Sequence, residues 1–148
     1  MKTPKKIVVG LFIILVGIQF IRPESNNGNR VMSTDFIKTY GVPTQIGNIF
    51  RRSCYDCHSN NTKYPWYSYI QPMGWLLNKH IREGKKELNF SEFGTYSERK
   101  QISKLKSIKN QIEQNKMPLA SYTMVHPNAI LTSQEKNLII NYINNLTQ

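Results

Sequence analysis

The apolar positions of this chain fall into two regimes. From Ile7 to Ile21 they run almost unbroken. Beyond Phe36 they recur at helical spacing instead. Ile46, Ile49 and Phe50 follow the break at Val42-Pro43 and predict a helix that runs straight into Cys54. "MGWLLNKHIREGKKEL" predicts a second helix. Between Ser97 and Asn115, Ile102, Leu105, Ile108 and Ile112 form one apolar stripe among lysines, which predicts a third. In "TSQEKNLIINYINNL", Thr132 and Glu135 are spaced as a capping box, and Leu138, Ile139, Tyr142, Ile143 and Leu146 form the face to be buried. "NNTKYPWYSYIQP", with two prolines and four aromatics, reads as a packed loop. "NFSEFGTY" reads as a loop and "KMPLASYTMVHPNAI" as a second irregular segment. No segment alternates as a strand does. The expected fold is all-α, with long loops between helices.

The amino-terminal run is a separate problem. Lys2, Lys5 and Lys6 precede its 15 residues, which as a helix reach about 22 Å against a hydrocarbon core of roughly 30 Å. No small-x-small cleavage site follows, only "IQFIRPE". Snorkelling by Lys5, Lys6 and Arg22 extends a short span. The expectation is a signal anchor over residues 1–22, with the lysines cytoplasmic and the domain on the periplasmic side of the cell membrane. A cleaved signal peptide and secretion to the periplasm is the alternative. Residues 23–35 are polar, contain Gly and Asn, and read as a tether. The domain itself is expected over 36–148.

Charge adds a partner class. The formal net charge is +11, from 20 Lys and Arg against 9 Asp and Glu, and without Lys2, Lys5 and Lys6 it is +8. That suits a well-solvated surface, an acidic redox protein or anionic lipid. The basic residues are dispersed and no nucleic-acid motif accompanies them, so nucleic acid is not expected. Oligomeric state leaves no trace in the sequence.

The chemistry concentrates in "SCYDCHSNN", Ser53 to Asn61. It holds both cysteines and one of three histidines. Cys54 and Cys57, three apart at a helix end, project to one side, and His58 shares that face with Cys54. C-x-x-C-H is the attachment signature of c-type haem, with two thioethers to the vinyl groups and an imidazole on the iron. Rival readings fit less well. A structural zinc site would have to recruit His80 and His126 from far along the chain. A thioredoxin-like motif should follow a strand in a βαβ context. A disulfide across three residues closes too small a loop to stabilise much.

A haem iron also takes a ligand on its other face, commonly Met in electron-transfer cytochromes. Met117, in "NKMPLA", is the leading candidate, because Pro118 keeps its neighbour extended and the loop can reach across a haem face. His80 and Met124 are the alternatives, with His126 and Met73 behind them. Some of Tyr64, Trp66, Tyr67, Tyr69 and Trp75 are expected to wall the haem crevice, since they exceed what a core of this size needs.

"SCYDCHSNNTKYPWYSYIQPMGWLLNKHIREGKKELNFSEF" followed by "KMPLASYTMVHPNAILTSQEKNLIINYI" resembles the haem-binding domain family of small exported bacterial proteins. That family carries C-x-x-C-H and is similar to class I cytochromes c. The resemblance spans about Phe36 to Leu146. It implies a cytochrome c-like helical domain around one covalent haem held at Cys54, Cys57 and His58. By analogy with cytochromes c it implies a Met ligand at Met117-Pro118, although Leu119 stands where a second proline is common. The function expected is single-electron transfer by a membrane-tethered monohaem cytochrome between redox protein partners, without an enzymatic activity of its own. The alternative is a haem sensor or peroxidase-like module with an open sixth iron position.

Overall fold

A computed structural model describes residues 3–28 and 31–147. Among these residues there are eight α-helices and no β-strand. Lys2, Asn29, Arg30 and Gln148, which belong to the expected anchor, tether and carboxy terminus, lie outside the described residues.

Helix α1, Thr3–Gly17, continues into a 3₁₀ turn at Ile18–Phe20. Its large apolar side chains from Ile7 to Val16 are between 44 % and 66 % exposed. Residues at consecutive positions point all round a helix, so α1 packs its sides on nothing. The expected single-pass span is not supported by the helix that forms. Among the described residues no helix is long and apolar enough to cross a membrane, because the α-helical hydrogen bonding of α1 ends after 15 residues.

The polar segment after it is held along the domain. Gln19 and Gln71 bond reciprocally, with the Gln19 amide donating to the Gln71 carbonyl at 3.2 Å and the Gln71 N–H to Gln19 Oε1 at 2.9 Å. Trp75 Nε1 donates to the Ile21 carbonyl at 2.8 Å. Asn27 forms an isolated antiparallel bridge with Asn61. The expected tether is thus secured beside the cysteine motif by its own asparagines.

The buried apolar core of the domain begins at Phe36. Asp35 accepts the Ile37 N–H at 3.0 Å and caps the short helix α2, Phe36–Thr39. Phe36 is fully buried, with the rings of Phe50, Phe90 and Phe93 at centroid distances of 5.2, 5.4 and 5.1 Å. Phe50 comes from α3, Thr44–Ser53. Phe90 and Phe93 come from a 3₁₀ turn at Phe90–Thr95, inside the stretch expected to be a loop. An i, i+3 aromatic pair on a 3₁₀ turn eclipses and faces one way, which is how so short an element supplies two core rings.

Helix α4, Tyr55–His58, follows α3 directly, and α5, Met73–Glu87, packs on it. Helix α6, Glu98–Glu113, buries Leu105, Ile108 and Ile112, with Ile102 half-buried at its start. A single turn, α7, spans Ala120–Thr123. Helix α8, Ser133–Leu146, carries the expected capping box. Thr132 Oγ1 accepts the Glu135 N–H at 3.2 Å and Glu135 Oε2 accepts the Thr132 N–H at 3.0 Å. It buries Ile139 and Ile143 against α6 and α3, with Leu138, Tyr142 and Leu146 at the margin of the core.

Candidate functional site

The cysteine motif sits on a break, not on one continuous helix. Regular α3 stops at Ser53, and Cys54 takes φ −131° and ψ −39° before α4 begins. A single turn survives, in which the His58 N–H donates to the Cys54 carbonyl at 3.0 Å. That turn keeps Cys54 and His58 one above the other, as the spacing predicts.

They open onto a two-lobed cleft. One lobe, about 200 Å³, lies toward α6 and is bordered by Leu88, Phe90, Ile108, Gln111 and Ile112. The other, about 240 Å³, lies toward α5 and α7 and takes in Cys57, His80, Gly84 and Tyr122. Six residues line both lobes, namely Ser53, Cys54, His58, Glu87, Met117 and Pro118. The cleft is an apolar slot with the C-x-x-C-H turn and the Met117-Pro118 loop on its walls.

His58 is oriented by α5. Its Nδ1 lies 2.9 Å from the Gly84 carbonyl and 3.1 Å from the Leu88 carbonyl. A carbonyl only accepts, so Nδ1 carries the proton and Nε2 is left with a free lone pair. Burial pushes the imidazole below its ordinary value, against the two carbonyl bonds, and keeps it neutral. This is the ligand form of histidine, with the outer nitrogen fixed by a carbonyl. Close approach of α5 makes it possible. A Cβ on Gly84 would lie 2.7 Å from the Cys57 carbonyl oxygen, so only glycine lets the two backbones meet here.

The two thiols are unpaired. Burial, with the neighbouring Cys57 adding to it, pushes Cys54 up to about 12. Burial and Asp56 push Cys57 up to about 11. Reactive redox thiols are shifted the other way, which weighs against a thioredoxin-like role. Among the described residues no group of three or more His, Cys, Asp and Glu is arranged to hold a metal ion, so the zinc set with His80 and His126 is not assembled.

The other sequence candidates separate. Met117 faces both lobes, while His80 borders only one. Met124 is 81 % exposed and borders neither. His126 stacks on Tyr122 with centroids 4.2 Å apart and lies beside the Tyr67 hydroxyl, away from the cleft. Met73 is exposed on the first turn of α5. The expected aromatic wall also needs correction. None of Tyr64, Trp66, Tyr67, Tyr69 or Trp75 borders either lobe, and Trp66 is 76 % exposed. Their loop is anchored by small and polar groups instead, with Ser68 and Gln71 buried. Phe90 and Tyr122 supply the aromatic surface of the cleft.

Several positions that matter were not singled out from sequence. The Tyr122 hydroxyl donates to Asp56 Oδ2 at 2.7 Å and ties the Met117 loop to the C-x-x-C-H turn. The Lys63 N–H donates to the other oxygen of Asp56 at 3.1 Å. Burial and the Asp56 bond both raise the Tyr122 phenol, so it remains a donor. Asn60 accepts from the Asn89 amide at 2.9 Å, and its N–H donates to Ser91 Oγ at 3.0 Å, which interlocks "SNN" with "NFSE". The only hint in the sequence was the density of asparagine after His58.

The residues fit a haem. Ser53 Oγ, on the wall of both lobes, is buried without a protein partner, a cost that a polar group of a bound molecule would relieve. The lining brings a neutral imidazole, two thiols and a thioether together with apolar side chains such as Leu88, Phe90, Ile108 and Ile112, and carries Glu87, Lys104, Gln111, His80 and Glu83 as polar groups, which suits a large flat group carrying iron and polar substituents. The haem-binding domain family matches residues 13–145 of the chain. No curated protein and no solved structure matches it.

Proposed function

The chain belongs to the haem-binding domain family, and from that premise we propose that it is a monohaem c-type cytochrome that carries single electrons. Haem supplies a one-electron iron couple when bound. The residues do the rest. Cys54 and Cys57 would hold the group through thioethers. His58 would present Nε2 to the iron while the Gly84 and Leu88 carbonyls hold its ring. Met117 would supply a second ligand, a soft thioether that favours ferrous iron. Phe90, Ile108, Ile112 and Leu131 exclude water.

The observation that carries this reading is the pairing of a carbonyl-locked His58 with Met117 on one apolar slot. The net positive charge of the chain favours an acidic redox partner. Helix α1, with Lys5 and Lys6 in its first turn, would hold the chain at the membrane with the domain exported, and cleavage of the segment would instead release it.

Visible spectra of the matured protein test the proposal. Haem should stay on the chain through acid-acetone extraction, and Cys54→Ala with Cys57→Ala should release it. Met117→Ala should remove the weak long-wavelength band of thioether-ligated ferric haem, lower the potential and admit carbon monoxide. Met124→Ala should change none of these. If His80→Ala opens the iron while Met117→Ala does not, the ligation is bis-histidine. Free carbon monoxide binding by the unaltered protein would replace electron transfer with a sensor or peroxidase-like role.

A further inference from the structure

The aromatic loop that does not reach the haem cleft has its own surface. Trp66, Tyr69, Ile70 and Met73 are all exposed along the stretch from the 3₁₀ turn at Trp66–Tyr69 to the first turn of α5. Gln71 lies in the middle of that stretch and is the residue to which Gln19 is bonded twice. Trp75, in the first turn of α5, donates to the Ile21 carbonyl. Phe20 and Ile21, exposed at 83 % and 62 %, therefore join the same patch. Six large apolar or aromatic side chains thus surround the point where α1 meets the domain.

We infer that this face lies in the interfacial layer of a lipid bilayer. The patch is continuous with α1, whose apolar side chains are unpacked on all sides. A protein partner on this patch would not explain that helix, whereas lipid covers both. The composition agrees, because Trp and Tyr favour the boundary between hydrocarbon and headgroups. Arg22 and Lys63, exposed and immediately beside Ile21 and the Tyr64–Trp66 stretch, are placed to meet anionic headgroups. The short reach of α1 fits as well, since a brief apolar helix draws the domain it carries down onto the surface. Gly84, at the haem cleft, is 11 residues along α5 from Met73, about 16 Å of helix. This inference rests on the reading of α1 as a membrane tether.

The two can be tested together and fail separately. The full-length, haem-loaded protein is reconstituted into nanodiscs of phosphatidylcholine and phosphatidylglycerol, with a benzophenone-bearing amino acid at position 66, at 69, or, as a control, at exposed position 106 on α6. After illumination, phospholipid adducts are expected at 66 and 69 and not at 106. Trp66→Ser with Ile70→Ser should abolish the adduct at 69. Alkaline carbonate extraction of the same protein from membranes reads the tether alone. Resistance to extraction without lipid adducts at 66 and 69 overturns the docking face and leaves the tether. Adducts on a protein that carbonate removes uphold the face and overturn the tether. Adducts to a second copy of the chain, or equal lipid labelling at 106, overturn the docking face.

Discussion

Gly84→Ala puts the smallest possible wedge between the two elements that build the haem site. The new Cβ would lie 2.7 Å from the Cys57 carbonyl oxygen, 3.3 Å from its carbon and 3.4 Å from the Cys57 Cβ. The first distance is about 0.7 Å short of the 3.4 Å at which ordinary contact begins. The obstacle is backbone within a tethered turn, so no rotamer change relieves it. Helix α5 must shift away from α4. The His58 Nδ1–H···O=C bond to Gly84, now 2.9 Å, would lengthen toward roughly 3.6 Å if it absorbed the whole movement, beyond hydrogen-bond range.

Overpacking of this kind costs about 1–3 kcal/mol. Alanine returns about 1 kcal/mol through its better helix propensity. The clash should win by up to about 2 kcal/mol, a fall in melting temperature of several degrees for a domain near 100 residues, where each kcal/mol is worth roughly 4–8 °C. The second readout is electronic. A histidine that loses its carbonyl partner is a weaker donor to ferric iron, so the potential should rise. Gly47→Ala in α3 is the control, because its nearest neighbour, an Ile37 methyl, would be 3.5 Å away. That variant should keep the potential and match or slightly exceed the native melting temperature. If Gly84→Ala melts and titrates like the unaltered protein, the close approach does not orient His58 and the argument is wrong.

Two further outcomes follow from the same contacts. Tyr122→Phe removes a hydroxyl-to-carboxylate bond worth about 1.5–3 kcal/mol and frees the Met117 loop from the C-x-x-C-H turn, so stopped-flow carbon monoxide binding to the ferrous protein should accelerate while covalent attachment is unchanged. Glu135 is held below its ordinary value, first by the Thr132 N–H and then by Arg52, so its contribution is present above the ordinary carboxylate value and lost as pH falls through the depressed one. Thr132→Ala should cost about 1 kcal/mol at neutral pH and keep the acid side of the stability curve, because the Thr132 N–H and Arg52 remain, whereas Glu135→Gln should flatten it, as read from melting temperature against pH.

The elements with a sustained 3.6-residue period were legible before any coordinates. The stripe of α6 and the capped α8 are where the pattern put them, because burial of one face and a local cap act within a single segment. The 3₁₀ turn at Phe90–Thr95 was not legible. Two phenylalanines three apart are too few to set a period, and their burial depends on Phe36, more than 50 residues earlier. The C-x-x-C-H turn was legible because its chemistry is local. The break at Cys54 was not, since nothing in the residue types distinguishes it from a helix that continues.

The aromatic loop shows where inference from composition goes astray. Some of the surplus Trp and Tyr are expected at the haem crevice, yet none of those on this loop borders either lobe. The apolar part of the cleft wall comes from Phe90, Ile108 and Ile112, on elements already tied to the core. Trp and Tyr carry a polar atom that needs a partner, and on the loop they find one at its edge. Trp75 bonds the Ile21 carbonyl and the Tyr64 hydroxyl takes the Asn26 N–H at 2.6 Å. Both partners lie on the segment that descends from α1. The amphipathic aromatics thus gather where the chain passes from an unpacked apolar helix to a folded domain. The same physical preference brings these amphipathic side chains to that boundary, while Tyr122, whose hydroxyl is taken by Asp56, is the one tyrosine among the described residues that borders the cleft with His58 and Met117.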